Sequence, residues 1–218
     1  MENEAIDRRQ LRGHALPVKT SRWPRTPRRQ ARIERALARR QPDLTVVLED
    51  VHDAHNVSAV LRSCDAVGAF RIHVVYQQET APDGAFARTT SGSAAKWVPV
   101  ERHADITSCY AALRAQGMTI LATALRPESV SLYGADLARP VALVFGNEMR
   151  GLSEAAIAGA DCLVALPMMG MVQSLNVSVA CAVTLYEALR QRVAAGAYNE
   201  PRLPEIERAA LVEEWLKR

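Results

Sequence analysis

The chain has 218 residues, 49% hydrophobic and only 5% aromatic, with a formal net charge of +3. This supports one sizeable core, and an apolar content carried largely by Ala and Val suits an α/β layer protein better than a β-sandwich. Its apolar runs stop well short of the ~18 residues of a membrane span, and its charged start (Glu2, Glu4, Asp7, Arg8, Arg9) has no signal-peptide pattern; four scattered cysteines without a CxxC pair point to reduced thiols in a cytoplasmic protein rather than a disulfide framework or zinc site.

The charge is unevenly placed. Residues 1–41 hold 11 Arg and 1 Lys against 4 acidic residues, a net +8, while the rest of the chain nets −5. A basic arm on a mildly acidic body suits a polyanionic partner; the alternative is a solvated charged helix. Pro17, Pro24 and Pro27 break the arm's middle. A helix is expected from Pro27 onward, with a narrow stripe through Ile33 and Leu37, ended by Pro42.

From Leu44 the texture changes. The spacing predicts strands at 44–49 and 71–76, a short one at 97–100, and others at 118–124, 141–145 and 162–166. Helices are expected at 56–67, closed by Gly68, and at 106–116, closed by Gly117; Ser153 caps a short one reaching about Ala158. A long helix is expected at 176–192 and a final one at 206–217. Alternating strands and helices imply a mostly parallel sheet with helices on both faces. The expected division is a basic arm at 1–41, a central domain at 42–195 and a helical extension at 196–218.

Several chemistries are excluded. No strand runs into a GxGxxG turn, no phosphate loop follows Gly146–Gly151, and no GxSxG elbow occurs. His52 and His55, with Glu49 nearby, have no evident third ligand, so no metal is expected.

Three constellations remain. In residues 47–68, Asn56 stands where a helix is expected to start, and Arg62 lies among apolar helix residues. That guanidinium either reaches a cleft or pairs locally with Asp65. In residues 141–153, ValAlaLeuValPheGlyAsnGluMetArgGlyLeuSer, an apolar strand runs into a glycine turn carrying Glu148. Either it is an ordinary β–α connection or it marks a ligand site, since ligands in open α/β sheets lie beyond the strands' carboxyl ends. In residues 166–187, beginning LeuProMetMetGlyMetValGlnSerLeuAsnValSerVal, Pro167 and Gly170 interrupt regular structure. Gln173, Ser174 and Asn176 there exceed what capping a helix needs.

In this order and spacing, AsnValxxxxArg, PheGlyxGlu…GlyLeuSer and ProMetxGlyxxxSerLeuAsnValSerValAla resemble the motifs of the SpoU family of RNA 2′-O-methyltransferases, part of the SPOUT superfamily. Within it the chain is most similar to members acting on guanosine 18 of tRNA. The resemblance implies a C-terminal deep trefoil knot, which periodicity alone would not suggest. It implies S-adenosylmethionine bound by loops 122–125, 145–151 and 166–175, through Ala124, Leu125, Gly146, Asn147, Leu166, Met168, Ser174 and Leu175. It implies a homodimer built on the long helix, with tRNA as partner and neither membrane nor DNA. The arginine matching Arg62 is the family's proposed proton acceptor. Because arginine is nearly always protonated, Arg62 is better read as binding the target phosphate and lowering the 2′-hydroxyl pKa. Asn56 would orient Arg62 or the ribose, Glu148 would hold the local network, and Ser174 and Asn176 would shape the methyl and ribose pocket. Arg190 and Arg192 resemble family tRNA contacts, and Arg8, Arg12, Arg22, Arg28 and Arg29 of the arm would add others.

Overall fold

The computed structural model describes residues 25–81 and 94–218. Helices α1 (Pro27–Ala38), α2 (Ala54–Val67), α3 (Ile106–Ala115), α4 (Glu154–Gly159), α5 (Val177–Ala194) and α6 (Glu205–Leu216) alternate with strands. The strands are β1 (Gln41–Glu49), β2 (Ala69–Val75), β3 (Val100–His103), β4 (Thr119–Thr123), β5 (Val130–Ser131), β6 (Val141–Phe145) and β7 (Cys162–Ala165). They form one seven-stranded sheet in the order β3-β2-β1-β6-β4-β7-β5, every pairing parallel.

Strand side chains alternate between two buried layers, as a sheet covered on both faces requires. Val46 and Leu48 of β1, with Leu143 and Phe145 of β6, pack against Val60, Leu61 and Cys64 of α2 and Cys181 and Leu185 of α5. Val47, Ala142 and Val144 point the other way, to Cys109 and Leu113 of α3 and Ala156 of α4. A third cluster joins Ile33 and Leu37 of α1 to Phe70 and to Trp215 and Leu216 of α6.

Several elements differ from the sequence expectation. Pro42 does not end α1. The helix closes at Arg39, and Pro42 lies inside β1, where the register against β2 shifts between Gln41 and Thr45. A residue without an N–H fits a strand at such an irregularity. Helix α2 begins two residues early, at Ala54, because the Asp53 carboxylate accepts from the His55 amide as the cap. Asn56 is therefore not the cap. The short strand expected at 97–100 is instead β3 at Val100–His103, with Trp97 packed on Trp215 at a ring separation of 5.0 Å. The two-residue strand β5 has no counterpart in the sequence reading. Among the described residues no helix is long and apolar enough to cross a membrane.

Candidate active site

A cleft of about 660 Å³ opens beyond the carboxyl ends of β4, β6 and β7 and the start of α5. The sheet places it there: β6 is inserted between β1 and β4, so the loops leaving β4, β6 and β7 emerge side by side. Crevices in open α/β sheets form at such strand ends.

The loop after β6 turns tightly. Asn147 and Gly151 exchange backbone hydrogen bonds of 3.0 and 2.9 Å. A Cβ on Gly146 would stand 2.3 Å from the Gly151 carbonyl and 2.4 Å from the Leu152 nitrogen. Only glycine permits that approach. Gly151, at φ 71°, occupies the left-handed region. The Asn147 side chain then fixes the loop, donating to the Asp50 carbonyl (2.9 Å) and accepting from the Met149 and Arg150 amides at 2.9 and 3.1 Å. Ser153 caps α4 and also donates through its backbone and hydroxyl to the Glu49 carboxylate, at 2.9 and 2.7 Å. The end of β1 is thereby tied to the loop after β6.

One hydrogen-bonded chain joins all three constellations. Asn176, the cap of α5, donates from Nδ2 to Asn56 Oδ1 at 3.0 Å. Asn56 donates from Nδ2 to Glu148 Oε1 at 2.9 Å, and His52 Nδ1 lies 3.1 Å from Glu148 Oε2. Both ends of each asparagine amide are used, since Asn176 Oδ1 accepts from the Ser178 amide and hydroxyl. Desolvation by itself would raise the Glu148 pKa. The Asn56 hydrogen bond, its own and Asp53's backbone amides and the neighbouring His52 outweigh it and hold the carboxyl below its ordinary value. Glu148 is an anion clamped between two loops, not a free base.

Ala124, Leu125, Gly146, Asn147, Leu166, Met168, Ser174 and Leu175 all line this cleft, as do Glu148 and Asn176. Met149 and Arg150 of the expected loop 145–151 also stand on its wall, and sequence reading missed Arg126 and Ala180 there. Arg126 could have been found as a basic residue just past an expected strand end. Arg126 pairs with Glu154, and Arg150 with Glu79 at 2.8 Å. Glu154 is exposed and Glu79 half-buried, so Arg126 can exchange its carboxylate for a phosphate at the smaller cost. Arg62 is not among the lining residues. It is exposed on α2 and makes no ion pair among the described residues; Asp65, its possible local partner, is taken by Arg40 at 2.5 Å.

Two of the arginines expected to contact RNA are engaged within the fold. Arg192 is fully buried, and all five of its N–H groups are engaged. They bond the carbonyls of Leu137, Arg139 and Asp43, the Gln41 amide oxygen and the Asp43 carboxylate, at 2.6 to 3.1 Å. Nothing remains for a phosphate. Arg29 donates to the Leu216 and Trp215 carbonyls at 3.2 and 3.4 Å, capping the end of α6. Arg28 is exposed. Arg190 is 68% exposed and bound to Glu187 through two N–H groups, which holds the Glu187 carboxyl down at about 2. Arg8, Arg12 and Arg22 lie outside the described residues.

Residues 43–186 match the family model described as the SpoU rRNA Methylase family. The chain belongs to this family. It is 48% identical to the tRNA (guanosine(18)-2′-O)-methyltransferase of Thermus thermophilus over 195 residues, which cover 89% of this chain and 98% of that one. Its fold superposes on the TrmH/SpoU tRNA modifying enzyme of A. aeolicus with a TM-score of 0.79 at 35% identity, covering 87% of this chain and 95% of that chain. An AdoMet-bound rRNA methyltransferase from Sinorhizobium meliloti matches with a TM-score of 0.61 at 30% identity, over 72% of this chain and 59% of that chain.

Proposed function

We propose that this chain transfers a methyl group from S-adenosylmethionine to the ribose 2′-hydroxyl of guanosine 18 in tRNA, working in the cytoplasm as a homodimer. The observation that carries the reading is the chain from Asn176 through Asn56 to Glu148, which binds the three motifs into one wall of a cleft. The near full-length likeness to the Thermus enzyme selects the substrate among RNAs. An acceptor that exists only in RNA leaves no role for DNA.

The cleft suits the cofactor. Its volume falls in the range of roughly 300–1,000 Å³ of small-molecule sites, its wall sets apolar side chains such as Leu125, Phe145 and Leu166 beside polar ones such as Asn147, Ser174 and Asn176, and Gly146 brings backbone to the surface. When bound, S-adenosylmethionine supplies a methyl carbon on a sulfonium leaving group. The protein's task is then to orient the nucleophile. Asn56, Glu148 and Asn176 hold the loops rather than move protons. Ser174, exposed at the mouth, faces the acceptor ribose. Arg62 binds the target phosphate and stabilises the developing alkoxide. Its absence from its own chain's cleft fits a site completed in a dimer, with RNA spanning both subunits.

Support for the dimer comes from α5. Val179, Tyr186 and Val193 are 47%, 55% and 57% exposed at intervals of seven residues, a stripe along one face. Support for a trefoil knot comes from the convergence of the loops after β4, β6 and β7 on one cleft, with β6 between β1 and β4. We read 42–195 as the methyltransferase domain, 1–41 as an arm that grips RNA and 196–218 as an extension packed on α1.

The test is site-specific mapping of ribose methylation in unmodified tRNA incubated with the protein and S-adenosylmethionine. A product confined to guanosine 18 is expected. Methylation of rRNA or of the anticodon loop instead would overturn the substrate, and no cofactor binding would overturn the enzyme. Arg62→Ala should lose turnover while keeping fold and cofactor affinity; near-normal turnover would remove Arg62 from the chemistry.

A further inference from the structure

The far edge of the sheet holds a cluster of a different kind. His73 on β2 stands opposite Glu101 of β3, and Val75 opposite His103, so His73, Glu101 and His103 converge. Cys109 of α3 packs over them. His73 and Cys109 are fully buried, and the His103 side chain is 9% exposed. His73 Nδ1 is 2.9 Å from His103 Nε2. One nitrogen from each histidine and Cys109 Sγ all lie within 4.8 Å of one another. The Glu101 carboxylate lies beside the two histidines, outside that set of three, 3.7 Å from His103 Nε2 and 3.9 Å from His73 Nδ1.

A neutral histidine pair explains only part of this. It engages Nδ1 of His73 and leaves the Cys109 thiol and the Glu101 carboxylate beside it unaccounted for, while Nε2 is buried without a partner among the described residues in the pair and with an ion on Nδ1 alike. Whichever tautomer His73 adopts, a buried lone pair or N–H stays unsatisfied, at a cost.

We propose that His73, His103 and Cys109, with Glu101 as the fourth ligand, form a structural site for a zinc-class divalent ion. Two imidazoles on a tetrahedral ion, with bonds of about 2.0–2.1 Å, hold their nitrogens ~3.3 Å apart. The pair at 2.9 Å needs to open only slightly. A thiolate with two imidazoles selects zinc or cobalt over magnesium or calcium. As the metal–sulfur bond forms, the Cys109 thiol releases its proton to solvent, and Glu101 exchanges Arg71, now 3.1 Å away, for the ion. The ion would fasten the four-residue edge strand β3 to β2 and α3. It lies at the opposite end of the strand order from the cleft and takes no part in methyl transfer. No spacing rule reveals the set, because its members come from two strands and a helix.

The experiment is titration of the full-length, chelator-treated protein with cobalt chloride under anaerobic conditions. One equivalent should produce the intense visible bands of tetrahedral cobalt and thiolate-to-cobalt charge transfer in the near ultraviolet. Zinc chloride should bleach both and raise the melting temperature by several degrees. Cys109→Ser should abolish the charge-transfer band, His103→Gln should weaken binding at least tenfold, and Cys162→Ser should leave the spectrum intact. If Cys109→Ser does not fold, wild type and His103→Gln decide. A folded wild-type protein without tetrahedral cobalt bands overturns the site, as do bands that persist unchanged in His103→Gln.

Discussion

Arg192 and Arg190 differ by two positions on α5 and by their whole environment. Arg190 meets one carboxylate at the surface, whereas Arg192 is an interior strut. Replacing Arg192 with Met removes the donor to Asp43 Oδ1, the Gln41 amide oxygen and three carbonyls, and leaves Asp43 only its outer pair with Arg202 at 2.9 Å, so stability should fall by about 3–5 kcal/mol. Urea unfolding checks this, and a drop below ~1 kcal/mol would contradict it. Spacing could not tell the two arginines apart, because each follows helical periodicity and only the far segments at 41–43 and 137–139 decide which is enclosed. Glu148 gives a second prediction. Its folded-state pKa is lowered, so its contribution is fully present above the ordinary carboxylate value of about 4.3 and is lost as pH falls through the lower folded value. Wild type should therefore lose stability relative to Glu148→Gln as pH drops below about 4.3. Parallel curves for the two proteins would show that the charge carries no stability. The motif positions of Asn56, Glu148 and Asn176 were legible in the sequence. Their mutual hydrogen bonds were not, since each partner lies 92 or 120 residues away.

At the scale of elements, the sequence reading succeeds where one local signal dominates. The all-apolar run of β6 and the Ser153 cap of α4 are legible because each is set by neighbouring residues. It fails where tertiary contacts choose: Pro42 is accommodated by a strand irregularity, Trp97 is taken by α6, and the two-residue β5 exists only through its pairing with β7. The arm divides the same way. Helix α1 packs Ile33 and Leu37 against α6, and Arg40, 2% exposed, donates to the Ala69 and Trp97 carbonyls. Deleting all of residues 1–41 would expose that cluster, so the informative truncation removes residues 1–24. This variant should keep its melting temperature and cofactor affinity while binding tRNA more weakly. Every phosphate that the arm no longer neutralises should change the log–log salt slope by about 0.7–0.9. An unchanged slope would take the arm out of RNA binding.

For the whole molecule, the exposed stripe on α5 makes assembly testable. Tyr186→Glu places a charge on the face proposed to meet a second copy, and sedimentation should shift from dimer to monomer with the helix content unchanged. A persistent dimer would move the interface elsewhere. The long reach of the Asn176–Asn56–Glu148 chain also has a consequence for the order of assembly. A chain made from its N-terminus acquires Asn56 early and Glu148 much later, while Asn176 arrives only after most of the sheet's strands exist. Contacts of such separation close late, after the cost of ordering the intervening chain has been met. On the ribosome the cleft is therefore absent from every intermediate shorter than about residue 176, and an aborted product cannot sequester cofactor or compete for tRNA through a half-built site.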